Sequence, residues 1–126
     1  MGIRSIEFRG KRESDGIWYY GVPLVFTEDY VCMTAPHTYN KKVEANTVGQ
    51  YTGLCDKNGT RIFEGDIVMK RSNYSGNTII AVVTYSDACF LAMVNNNSGF
   101  GLDESNNLEV IGNIYDNPEL LEGAEK

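Results

Sequence analysis

The sequence predicts a mainly β protein, with an N-terminal hairpin lobe followed by a small SH3-type barrel. Three observations point to β structure. Helical periodicity is nearly absent. Short β-branched and aromatic runs recur at close intervals, split by Gly, Asn and Asp. From Thr47 onward the runs are joined by tight turns, and closing them into a barrel removes exposed edges. The chain has 126 residues, 42% of them hydrophobic, enough for one domain or two lobes sharing one core. Residues 1–46 read as the N-terminal β lobe. Residues 47–126 read as the barrel lobe, packed against the first as one unit.

The elements follow in order. Ser5 to Arg12 alternates, which puts Ile6 and Phe8 on one face and Glu7 and Arg9 on the other. Asp15-Gly16 marks a tight turn, and Ile17 to Tyr20 returns as the second strand of a hairpin. Val22 to Phe26 continues apolar, with Pro23 favouring an edge position or a strand start. Tyr30 to Thr34 is a further strand. Ala35 to Ala45, with Pro36, Asn40 and two lysines, reads as an irregular connection. Thr47 to Leu54 is extended. Asp56-Lys57-Asn58-Gly59 is the strongest turn signal in the chain, and Asn-Gly suits the type I′ hairpin geometry. Thr60 to Phe63 leaves that turn, Glu64-Gly65-Asp66 bends the chain, and Ile67 to Met69 resumes. Ser72 to Asn77 is a polar loop, and Thr78 to Tyr85 is a long strand. Cys89 to Val94 is continuous and apolar, which predicts burial on both faces. Asn95 to Gly101 reads as loop and Leu108 to Tyr115 as the last strand. Asn117-Pro118-Glu119 then starts one short helix, with Asn as N-cap and Pro at the first helical position.

Charge and cysteine usage narrow the function classes. The net charge of −6 argues against a general polyanion binder, because phosphate affinity comes from Lys and Arg. The charge is uneven: residues 1–50 hold six basic and six acidic side chains, and residues 51–126 hold five and eleven. The opening strand is locally positive on a negative protein, which can steer docking or self-association. Cys32, Cys55 and Cys89 are odd in number and form no C-x-x-C pair, so neither a disulfide framework nor a zinc site is expected. Cys32 and Cys89 lie in apolar runs and read as buried thiols, whereas Cys55 sits beside a turn. Reduced thiols, with no apolar leader after Met1 and no membrane-length run, suggest the cytoplasm and no membrane partner.

Few residues carry chemistry. His37 is the only histidine, and neither a G-x-S-x-G nor a Walker A sequence occurs. No cofactor is expected. Glu64 and Asp66 are the best carboxylate pair for acid/base work or for a hard cation. The stronger reading makes Asp66 a cap for the turn and Glu64 a solvated or ion-paired side chain. Arg9, Lys11 and Arg12 with Trp18 mix cations and an aromatic ring, a combination able to stack on and neutralise a nucleic-acid strand. Tyr51 carries a large apolar body with a polar tip, as interfaces favour.

Three blocks stand out together. They are Phe8-Arg9-Gly10-Lys11-Arg12 with Asp15-Gly16-x-Trp18-x-Tyr20-Gly21, the long stretch Thr47 to Val68 built around Gly49, Gly53, Asp56-Lys57-Asn58-Gly59 and Glu64-Gly65-Asp66, and Glu109 to Leu121. In this order they closely resemble the YopX family of phage and prophage proteins, over nearly the whole chain. The resemblance implies a small β protein with an SH3-type barrel in its C-terminal part. It also implies carriage on a phage or integrated element and work in the cytoplasm of a bacterial host. It implies no catalytic residue. The function expected first is a non-enzymatic module binding a host or phage protein, or a second copy of itself, through Tyr51, Asp56, Lys57, Glu64 and Asp66. Nucleic-acid binding by the hairpin 8–20 ranks second, and an enzyme built on Glu64 and Asp66 ranks third.

Overall fold

The computed structural model describes residues 6–35, 38–71, 76–86, 89–94, 98–102 and 107–122. His37 and most of the loop from Ser72 to Asn77 lie outside them. The fold is almost entirely β and antiparallel, as expected. The chain divides into two compact units, Met1–Gly53 and Leu54–Lys126.

In the first unit β1 (Phe8–Lys11) and β2 (Trp18–Phe26) form the expected hairpin, with Phe8 opposite Gly21 and Lys11 opposite Trp18. The turn forms because the Asp15 carboxylate accepts the Ile17 N–H at 3.0 Å and Gly16 takes φ +70°. β3 (Tyr30–Ala35) follows, then β4 (Thr38–Glu44), a 3-10 turn (Ala45–Thr47) and β5 (Gly49–Cys55). The strand order is β4-β3-β2-β1-β5, and β5 is also the neighbour of β6 (Arg61–Phe63). The division between the units falls inside β5; the sequence boundary at 46/47 lies within the 3-10 turn.

β4 corrects the irregular connection read over Ala35 to Ala45. The lysines disguise it, because they look like a solvated loop. In the sheet, Val43 opposes Val31 and is buried with it and with Met33. Lys41 and Lys42 lay their ammonium groups over Tyr19 and Tyr30, at 5.6 and 4.1 Å from the ring centroids. The sheet bends until Gly10 of β1 meets Val43 of β4. A Cβ at Gly10 would collide with Val43 Cγ2 and stand 3.2 Å from Met33 Sδ.

In the second unit β7 (Asp66–Arg71), β8 (Thr78–Ser86), β9 (Cys89–Met93), β10 (Gly99–Gly101) and β11 (Glu109–Asn113) form a sheet in the order β10-β9-β8-β7-β11. Pairings among the described residues run from edge β10 to edge β11. Ile62, Val68, Ala81, Val83, Ala92 and Leu108 make its core. The short helix α1 (Glu119–Glu122) follows Asn117-Pro118 as read from the sequence. Two readings need correction here. β9 is not buried on both faces: Ala92 is buried, while Cys89 is exposed at the strand's start. Gly99 to Gly101 is not loop but a strand on β9, with Phe100 opposite Ala92 and packed on the core.

The turn at Asp56 to Thr60 exists in another geometry. Gly59 takes φ +85°, but Asn58 does not adopt positive φ, which a type I′ turn requires at both central positions. Instead the Gly59 N–H donates to Asp56 O at 3.0 Å and the Asp56 N–H to Thr60 O at 2.7 Å. This is a three-residue loop closed by a glycine bulge. Among the described residues, no helix is long and apolar enough to cross a membrane.

Candidate functional site

The five residues expected to form a binding surface do not form one. Asp56 is 8% exposed and Asp66 2%. Asp56 Oδ1 accepts the N–H groups of Asn58 and Thr60, both at 2.9 Å, and its Oδ2 accepts the Val110 N–H at 2.9 Å. Burial pushes this carboxyl up, but the three N–H donors and the nearby Lys57 ammonium outweigh it and hold the group below its ordinary range. Asp66 Oδ2 accepts the Phe63 N–H at 2.8 Å. Both acids therefore organise backbone. Neither offers a carboxylate to a partner, which corrects their placement on a binding face.

The other three residues lie apart in role. Lys57 is exposed, with Nζ 3.7 Å from Glu109 Oε1, and its N–H donates to Leu108 O at 2.9 Å. Glu64 is half-buried. Among the described residues no group of three His, Cys, Asp or Glu is arranged to hold a metal, and Glu64 and Asp66 belong to no such group. Tyr51 is half-buried in the first unit, its N–H donating to Glu7 O at 2.7 Å.

The basic-aromatic hairpin is similarly occupied. Arg9 is 6% exposed, not facing water as its strand position suggested, and its guanidinium lies 4.7 Å over the Trp18 ring. Arg12 forms a two-pronged ion pair with Asp15, through Nε at 3.1 Å and through Nη2, and sits 5.1 Å over Tyr19. The Lys11 N–H donates to Thr47 Oγ1 at 2.9 Å. Phosphate binding draws its energy from exposed cations that release counterions. Arg9 is too deeply buried for that, and Arg12 already has an anion.

The sequence reasoning missed the outer face of β2. Beyond Gly21 this strand has β3 as its only neighbour among the described residues, so Val22 to Phe26 is a local edge and Pro23 sits where a missing N–H costs no ladder bond. Val22 opposes Thr34, and Val25 opposes Cys32. Directly opposed residues share a face. Tyr20, Val22 and Val25 thus lie on the face turned away from Val31 and Met33, and they are 42%, 45% and 51% exposed. The register slips by one residue between Pro23 and Val25, which leaves Leu24 as the extra residue of a bulge, 56% exposed. Phe26, at the strand's end, is 67% exposed. The signal was present: Pro23 interrupts an apolar run that lacks the polar alternation of a half-buried strand.

This arrangement has a counterpart among solved structures. The crystal structure of protein EF1440 from Enterococcus faecalis superposes with a TM-score of 0.64 at 25% identity, covering 93% of this chain and 98% of that one. Among curated proteins none matches significantly. The model of the family described as YopX protein matches residues 7–122. With nearly its whole length matched, this chain belongs to the YopX family.

Proposed function

We propose that this protein is a non-enzymatic interaction module that binds another protein through the outer face of β2. The observation that carries this reading is the contiguous exposure of Tyr20, Val22, Leu24 and Val25. Single exposed apolar residues are ordinary, but a contiguous group on a soluble fold marks a contact surface. Each of these side chains is about half exposed, so covering one recovers roughly 1 kcal/mol. The resemblance of the whole chain to phage and prophage proteins supports carriage on such an element, with a host or phage protein in the bacterial cytoplasm as the partner.

The test compares the wild type with a V22S/L24S/V25S variant as bait in lysate from phage-infected bacteria. A protein retained by the wild type and lost by the variant, at an unchanged unfolding midpoint, supports the reading. Equal retention by both, or retention by neither, overturns it. Sedimentation of both proteins decides whether the bound partner is a second copy.

A further inference from the structure

The free edge of β4 is built to receive another strand. β4 ends its sheet, with β3 as its neighbour. The Ala45 N–H donates to Asp29 O at 3.1 Å. Residues 45 and 29 are therefore a pair that bonds directly across the ladder. Such pairs alternate with non-bonded ones along an antiparallel ribbon. The register places Glu44 opposite Tyr30, Val43 opposite Val31 and Lys42 opposite Cys32. Val43 thus bonds inward to β3, and the main chain of Lys42 and Glu44 is directed away from it. The Glu44 carbonyl accepts the Thr47 hydroxyl at 2.7 Å. The N–H and C=O of Lys42 and the N–H of Glu44 remain along the edge.

A cleft of about 700 Å³ lies against these residues. Its other walls come from the turn residues Arg12, Glu13 and Ser14 and from Asp29 and Tyr30. Natural edges are guarded by proline, by a bulge or by lysine. Pro23 and the Leu24 bulge guard the free stretch of β2. On β4, by contrast, Lys41 and Lys42 are drawn onto Tyr19 and Tyr30. The charges beside the cleft also point one way. Arg12 is paired with Asp15 and the Lys42 ammonium rests on a ring, while Glu13, Asp29 and Glu44 supply three carboxylates.

We propose that the β4 edge from Lys42 to Glu44 binds an extended segment of a partner protein by strand addition, and that this segment carries Lys or Arg side chains that meet Glu13, Asp29 and Glu44. Main-chain bonds supply the register, and the carboxylates select a basic segment over an acidic one. This edge is a different surface from the outer face of β2.

The experiment titrates the full-length, 15N-labelled protein with a short blocked peptide of alternating Lys and Val at low salt. Saturable shifts of the Lys42, Val43 and Glu44 amide signals are expected, with none from the matching Glu and Val peptide. The E13Q/D29N/E44Q variant is expected to bind roughly tenfold more weakly. Lys42→Pro, which removes an edge N–H, is expected to abolish binding. Because that variant may alter the fold, a Lys-Val peptide N-methylated along its backbone tests the same bonds on the wild-type protein and should not bind. Absence of shifts at these three amides, an equal response to the Glu-Val peptide, or undiminished binding of the N-methylated peptide each overturns the proposal.

Discussion

Asp56 and Val110 are joined by a hydrogen bond across 54 positions of sequence, the Val110 N–H donating to Asp56 Oδ2 at 2.9 Å. The same carboxylate closes its own turn through Asn58 and Thr60. One buried side chain therefore ties the loop before β6 to the strand β11. Replacing it by Ala leaves three backbone donors without this acceptor, and the expected cost is about 2–4 kcal/mol in urea unfolding at neutral pH.

The same residue sets an acid dependence. Its folded pKa lies below the ordinary 3.8, so its contribution to stability is complete above that value and is lost as pH falls through the folded pKa. The gap in unfolding free energy between wild type and Asp56→Ala should be constant above about pH 5 and narrow below pH 3.8. A gap that widens on acidification would contradict the assigned bonds.

Gly10 and Val43 make a second prediction. Gly10→Ala forces a methyl group onto Val43 Cγ2 and should destabilise the protein by about 1–3 kcal/mol. Val43→Ala alone opens a cavity. The double variant should cost less than the sum of the two, and a thermodynamic cycle from urea unfolding measures that coupling.

Arg12 and Asp15 concern the hairpin turn. The Arg12 guanidinium, and after it the Ile17 N–H, hold the Asp15 carboxyl below its ordinary 3.8. A 13C-detected titration of Asp15 should show this depression, and Arg12→Gln should raise the midpoint toward the ordinary value. No change in the variant would mean that the ion pair does not form in solution.

The thiols can be counted by rate. Cys55 and Cys89 are exposed and Cys32 is half-buried beside Val25. In the native protein two thiols should react promptly with a chromogenic disulfide reagent and the third more slowly. Substituting Cys89 should remove one of the fast pair.

The elements legible in the sequence were those with local causes. Asp15-Gly16, Asp56 to Gly59 and Asn117-Pro118 announce their turns and helix start through side chains that act on backbone a few residues away. β4 was illegible because Lys41 and Lys42 mimic a solvated loop until Tyr19 and Tyr30 are in place beneath them. β10 is a three-residue Gly-Phe-Gly, too short to show a period. The site was less legible still. Arg9, Asp56 and Asp66 are charged residues that composition places in water, and long-range structure buries them. The turn-forming role of Asp56 was readable, but its bond to Val110 was not.

Leu24 is surplus to its ladder. With that one residue deleted, Pro23 would still oppose Met33, and Val25 would still oppose Cys32. The strand pairs could be completed without it, yet the chain bears an isobutyl group, 56% exposed, that its own sheet does not use. A residue dispensable to the scaffold and costly to leave wetted finds its purpose in what comes to cover it.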